Sequence, residues 1–204
     1  MSAQTCLGAA RYSAGPMRVG GGFSTTDGAK SYGLNFGVGA KVGPFASANL
    51  SRAEYSDADV SSRAVGIGAG YAIDVNPTHT VQFCPQASLT HQSGPDIDVG
   101  TSTMSTSANA FAFGGAFGGS VPVTPTLDLV PFGAASYVIS RATVTFGGTS
   151  ESDSQDYADI ELGAGFVLNK TLTLQPSIAI PVGLDGAKSS FQLAVAFNFG
   201  TPKH

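Results

Sequence analysis

Two groups of side chains have the residue types that chemistry requires: His91 with Asp96 and Asp98, and the acidic set Asp153, Asp156, Asp159 and Glu161. A histidine near carboxylates is the usual general base, and such a pair at the rim of a barrel would suit hydrolysis. His91, however, shares strand parity with Val81, Phe83 and Leu89 and so points away from any interior. No nucleophile stands at a spacing that would pair with it. The acidic set carries enough charge for a divalent cation, for instance one bridging phosphates, but lacks the glycine and spacing of a calcium-binding loop. A solvated rim accounts for it. Gly66-Ile67-Gly68-Ala69-Gly70 and Gly114-Gly115-Ala116-Phe117-Gly118-Gly119 have the look of phosphate loops, but a dinucleotide fingerprint needs a helix after it and neither run has one. They read as small residues lining an interior. The expectation is a protein without catalytic residues, cofactor or metal, and not an enzyme.

The elements that carry these residues are strands. Only 12% of the 204 residues are charged, about half the ~25% of ordinary soluble domains, 27 are glycine and none is tryptophan. Mean hydropathy is nevertheless only +0.13, because apolar residues are diluted by Gly, Ala, Ser and Thr. No apolar run reaches the ~18 residues of a membrane-spanning helix. A net charge of −4 with no basic run excludes nucleic acid as a partner.

Alternation with period two recurs along the chain. Leu34, Phe36, Val38, Ala40 and Val42 oppose Gly33, Asn35, Gly37, Gly39 and Lys41. Val65, Ile67, Ala69, Tyr71 and Ile73 oppose Gly66, Gly68, Gly70 and Ala72. Ile160, Leu162, Ala164, Phe166 and Leu168 oppose Glu161, Gly163, Gly165 and Val167. Three segments align without gaps: Thr80-Val81-Gln82-Phe83-Cys84-Pro85, Thr126-Leu127-Asp128-Leu129-Val130-Pro131 and Thr171-Leu172-Thr173-Leu174-Gln175-Pro176. A shorter copy is Lys41-Val42-Gly43-Pro44. Each follows a short turn, so the repeating unit is a hairpin. A propeller of similar period would put four strands in each repeat and carry a Trp-Asp signature, absent here. Short turns are expected near 41–43, 74–79, 122–125 and 168–170, and longer polar loops over 52–61, 92–106 and 147–156. About ten antiparallel strands, with short turns at one end and longer loops at the other, make a closed up-and-down transmembrane β-barrel, an all-β fold. Its second face of Gly, Ala, Ser, Thr, Asn and Gln belongs in a lumen rather than in a sheet-on-sheet core. Pro44, Pro85, Pro131 and Pro176 would each remove a ladder donor, and their common place near a short turn is where a sheet tolerates them. Tyr55, Tyr71, Tyr157, Phe166 and Phe199 are expected at the membrane interfaces.

In these features residues 17–199 resemble the small bacterial outer-membrane β-barrel proteins, the OmpX-like and OmpA-barrel-like class. The closing strand Phe191-Gln192-Leu193-Ala194-Val195-Ala196-Phe197-Asn198-Phe199 carries the likeness most plainly. The resemblance implies a location in the outer membrane, lipid and lipopolysaccharide as surroundings, and recognition of a terminal aromatic by the barrel-assembly machinery. Phe199 resembles that aromatic, although Gly200–His204 extend past it.

The expected organisation is an N-terminal segment, 1–16, at the periplasmic mouth or in the lumen, a barrel over 17–200 and a tail over 201–204. Met1-Ser2-Ala3-Gln4 reads as the end of a signal-peptide cleavage site or as an ordinary start. Cys84 shares parity with Gln82 and Gln86, which puts it in the lumen near the short-turn mouth. An even strand count brings the N-terminal segment to that mouth, so Cys6 and Cys84 are expected to form a disulfide. Two roles are open: a passive, narrow or plugged porin-like or structural barrel, or a surface protein whose loops 52–61, 92–106 and 147–156 meet a partner.

Overall fold

The computed structural model describes residues 17–40, 42–56, 60–78, 80–99, 102–184 and 186–199. Eleven strands follow in order: β1 (Met17–Thr26), β2 (Ala29–Gly39), β3 (Gly43–Tyr55), β4 (Val60–Asp74), β5 (Val81–Val99), β6 (Ser102–Gly119), β7 (Val121–Thr124), β8 (Leu127–Phe146), β9 (Thr149–Leu168), β10 (Leu172–Val182) and β11 (Ser190–Phe199). Apart from the short β7, which pairs only with the start of β8, each strand pairs antiparallel with its sequence neighbours. β6 pairs directly with β8, and β1 pairs with β11 from Met17↔Phe199 to Thr25↔Phe191. Ten long strands therefore close into an up-and-down barrel with no free edge along the spanning part. Closure is what lets strands cross hydrocarbon, because every backbone donor and acceptor then has a partner inside the protein. Among the described residues no helix is long and apolar enough to cross a membrane.

Local chemistry sets the turns. Asn169 and Lys170 both have positive φ (49° and 59°), as do Gly147 and Gly148 (55° and 84°), the backbone that two-residue hairpins prefer. In the turn before β5, Asn76 Oδ1 accepts from the amides of Thr80 and Val81 at 3.0 and 2.9 Å. The repeated Thr-x-x-x-x-Pro segments lie at the starts of β5, β8 and β10, and Pro44, Pro85, Pro131 and Pro176 are all on the outer face. Pro85 and Pro176 coincide with gaps in the ladder to the preceding strand: pairing jumps from Gly70↔Gln86 to Ile73↔Phe83, and from Leu174↔Phe166 to Ser177↔Gly163. The missing N–H is thus absorbed as a local irregularity.

The alternation resolves into two faces as expected. Leu34, Leu50, Ile67, Leu89 and Leu162 are 54–66% exposed on the outside, an arrangement that only a hydrocarbon surround makes favourable. The glycine runs split between the faces: Gly66, Gly68, Gly70, Gly114 and Gly118 point inward, whereas Gly115 and Gly119 share outward parity with Phe117.

The polar stretches expected to be loops are for the most part strand. β5, β6, β8 and β9 run 19, 18, 20 and 20 residues, well past the ~9–11 that span a bilayer. β8 and β9 stay paired up to Phe146↔Thr149, and β5 and β6 up to Val99↔Ser102. Residues 92–99 and 102–106, with the end of β8 and residues 149–156 of β9, therefore form a four-stranded sheet projecting beyond the shorter strands, while in the stretch 52–61 residues 52–55 and 60–61 are the end of β3 and the start of β4, paired with each other. Above the lipid neither face needs to be apolar, so Ser- and Thr-rich strands there lose the alternation that marks a strand in sequence.

Candidate functional site

Three places in the barrel hold polar side chains in defined geometry: the lumen, the projecting sheet and the outer rim of the lipid-facing surface.

The lumen contains a cavity of about 340 Å³. Its walls run from Tyr55, Ser62 and Gln92 at the projecting end down to Arg18, Phe45 and Gln86. Arg18 Nη2 donates to Gln175 Oε1 at 3.1 Å, and Gln92 Nε2 donates to Ser62 Oγ at 3.1 Å. Glu161 is 1% exposed and faces this cavity. Toward the short-turn end the lining changes to a closed layer. Phe45, Ala72, Cys84, Ala116 and Ala134 form one buried cluster, and Val130, Phe132, Val167 and Ala196 are also buried. Glycine makes room for the two rings. A Cβ on Gly70, the direct partner of Phe45, would lie 2.4 Å from that ring, and one on Gly163, the partner of Phe132, 2.6 Å from its ring. Each ring fills the space over a glycine, and none of the residues of this layer apart from Phe45 borders the cavity.

The acidic set does not come together. Asp156 is on the outer face and accepts from the Tyr137 hydroxyl, while Asp153, Asp159 and Glu161 share the inward face at successive heights on β9. Among the described residues no three His, Cys, Asp or Glu side chains are grouped to hold a metal ion. His91 is exposed on the outside, its Nδ1 2.9 Å from Asn109 Oδ1; the side chains of Asp96 and Asp98 lie outside the described residues. Tyr71, Phe166 and Phe199 face outward as expected, but Tyr55 and Tyr157 line the lumen. Position at a strand end gives their height, where the strands leave the lipid, but only parity shows that they point inward. Tyr32 and Tyr137 occupy the outer positions instead, against Phe23 and Phe113 at centroid distances of 5.7 Å. Cys84 is fully buried on the inward face; Cys6 lies outside the described residues, as do 1–16 and 200–204.

The projecting sheet has one feature the sequence hid. Pairing of β5 with β6 shifts register between Ser93 and Asp96, and this bulge puts Ile97 on the same face as Met104, Val144 and Phe146. Ile97, Val144 and Phe146 are 36%, 43% and 47% exposed there. Glu151 and Asp153 pair with Val144 and Ala142 on that face. β10 accompanies β9 only as far as Val182↔Ala158, so residues 149–157 form an edge with no further strand beside them among the described residues. On the opposite side of the mouth the Lys188 ammonium binds the Asp27 carboxylate, and this hydrogen bond and charge hold Asp27 below the usual carboxylate range.

A closed antiparallel barrel of ten long strands, banded outside by exposed apolar side chains and polar within, is an integral barrel of the bacterial outer membrane. The chain belongs to the family described as outer membrane protein beta-barrel domain, whose model matches residues 3–199. Among solved structures it is similar to the beta domain of the Bordetella autotransporter BrkA (TM-score 0.56, 13% identity, covering 90% of this chain and 98% of that one). It is also similar to the translocator domain of the autotransporter NalP from Neisseria meningitidis (TM-score 0.54, 14% identity, covering 90% and 89%). The N-terminal barrel domain of Pseudomonas aeruginosa OprF matches at TM-score 0.41 and 15% identity, covering 90% and 96%. At these identities the likeness is one of fold. A search among curated proteins returns no match.

Proposed function

We propose that this barrel is a non-conducting anchor that holds a four-stranded sheet at the cell surface, where the sheet binds an extended, basic segment of a partner protein. The observation that carries this reading is the edge 149–157: nine residues of paired β9 with no strand on their other side and with Glu151, Asp153 and Asp156 among them. An open edge offers unpaired backbone donors and acceptors to an incoming strand. Glu151 and Asp153 share one face of this edge, so an incoming strand with Lys or Arg at every second position would set its cations beside them. Short turns belong on the periplasmic side in this class of protein, which puts the sheet outside. The closed layer around Phe45 and Phe132 argues against the passive-channel role. No catalysis is needed in this reading.

The test is capture of a biotinylated alternating Lys-Val peptide by intact cells displaying the barrel, compared with an alternating Glu-Val peptide. The basic peptide is expected to be retained and the acidic one not. Reversing two carboxylates, Glu151→Lys with Asp153→Lys, is expected to weaken retention about tenfold, since cross-strand charge pairs contribute up to ~1 kcal/mol each. Equal retention of both peptides, or retention unchanged by the double variant, contradicts the proposal.

A further inference from the structure

The cavity in the lumen is walled by uncharged hydroxyl and amide side chains almost throughout. Among the described residues that border it, only Arg18, Asp159 and Glu161 carry charge. Arg18 is engaged with Gln175. Asp159 and Glu161 stand two residues apart on β9 and both point inward, so their Cα atoms are about 7 Å apart along one wall. The flanking strands bring no cation to them. Asp159 is paired with Ser136 of β8 and Pro181 of β10, and Glu161 with Ala134 and Ala179.

Glu161 is the group that asks for a ligand. It is 1% exposed, and although a hydrogen bond from Ser177 reaches its carboxyl, Oε2 has no partner. Among the described residues neither Glu161 nor Asp159 forms an ion pair. A carboxylate held away from water is costly unless an opposite charge stands near it. The cavity, about 340 Å³, lies at the lower end of the ~300–1,000 Å³ of small-ligand pockets. Its floor is the closed layer around Phe45, which leaves the projecting end as the way in. A compact metal ion does not suit this wall, since no three acidic or imidazole groups come together among the described residues. Two carboxyls in line, with the Tyr157 side chain one inward position above them, suit a thin molecule with ammonium groups at intervals.

We propose that the lumen binds a linear polyamine. One ammonium donates to Asp159, and the next lies deep enough to give Glu161 the opposite charge it lacks. Ser136, across from Asp159, offers an acceptor to the remaining N–H groups. The rest of the chain runs upward past Tyr157, whose ring takes methylenes or a further ammonium on its face. Attraction between these charges is stronger in the enclosed lumen than on the open surface. Glu151 and Asp153 belong to the projecting sheet and are no part of this site.

The experiment titrates the full-length barrel, folded in a non-ionic detergent, with spermidine at 0.15 M salt, read by isothermal titration calorimetry. One spermidine per barrel is expected to bind. Triacetylspermidine, which has the same chain without the charges, is expected not to bind, and excess magnesium not to displace spermidine. A hydrogen bond between charged groups is lost with each carboxyl, so Asp159→Asn should weaken binding about tenfold and Asp159→Asn with Glu161→Gln about 100-fold. Glu151→Lys with Asp153→Lys should leave it unchanged, because Asp153 is about 20 Å up the strand from Asp159 and charges in water are screened beyond ~8 Å. The heat-modifiable gel shift checks folding, and Asp159→Asn stands as the second test should the double lumen variant fail to fold. Absence of binding to the wild type, equal binding of the acetylated chain, displacement by magnesium, or lumen variants within twofold of wild type each overturn the proposal. Loss of binding in the Glu151 and Asp153 variant would place the amine on the projecting sheet and overturn it as well.

Discussion

Leu162→Arg is expected to destabilise the barrel by about 2–4 kcal/mol, the cost of an arginine on the lipid face near mid-bilayer. Leu162 is 56% exposed and lies midway in the outward series Ala158, Ile160, Leu162, Ala164, Phe166 and Leu168 on β9. Its exposure is favourable only in hydrocarbon, and that is what the guanidinium would disrupt. Ser152→Arg provides the control. It has the same outward parity on the same strand, but lies in the projecting sheet opposite Thr143, to which Ser152 is hydrogen bonded, and its cost should be near zero. Guanidinium titration of both variants in lipid vesicles checks the pair. A Leu162→Arg barrel as stable as wild type would mean that this face does not meet lipid.

The second large effect concerns Cys84. We propose that it is bonded to Cys6, and Cys84→Ser is then expected to cost about 4 kcal/mol in the chain-entropy description of a long closed loop. The place of Cys84 suits this role: it is wholly buried on the inward face, within the cluster of Phe45, Ala72, Ala116 and Ala134. That cluster lies toward the end where β1 begins, the end to which the preceding residues lead. An oxidising periplasm permits the bond. Non-reducing digestion with mass spectrometry should recover one cross-linked peptide pair containing Cys6 and Cys84. Quantitative alkylation of both thiols in the folded protein without reductant would show the pairing to be absent.

Much of the architecture is legible in the residues. Alternation such as Val65-Ile67-Ala69-Tyr71-Ile73 survives because lipid demands one apolar face and the lumen demands small or polar groups on the other. The three aligned Thr-to-Pro segments mark strand starts, since a proline there costs least. What is not legible depends on register or on height. The Ser93/Asp96 bulge leaves no compositional trace, yet it turns Ile97 to the face of Met104 and Phe146. The projecting hairpins read as loops because a strand in water has no face to keep apolar. Tyr55 and Tyr157 lie at the right height for an interface but on the wrong side of the sheet. The pairing of Arg52 with Arg63 needs the register of β3 with β4, and their relation to Arg141 needs that of β4, β5, β6 and β8 as well. No spacing within one segment would reveal it.

The central claim is that the lumen is closed at its short-turn end, so that the role we propose belongs to the projecting sheet and not to a channel. Single-channel recording of the purified barrel in a planar bilayer tests this most directly. The closed layer of Phe45, Cys84, Ala116, Val130, Phe132 and Val167 predicts a baseline without stable ion steps, at moderate voltage and high salt. Reproducible, long-lived conductance steps from the wild-type protein would contradict it and return the barrel to a passive channel role.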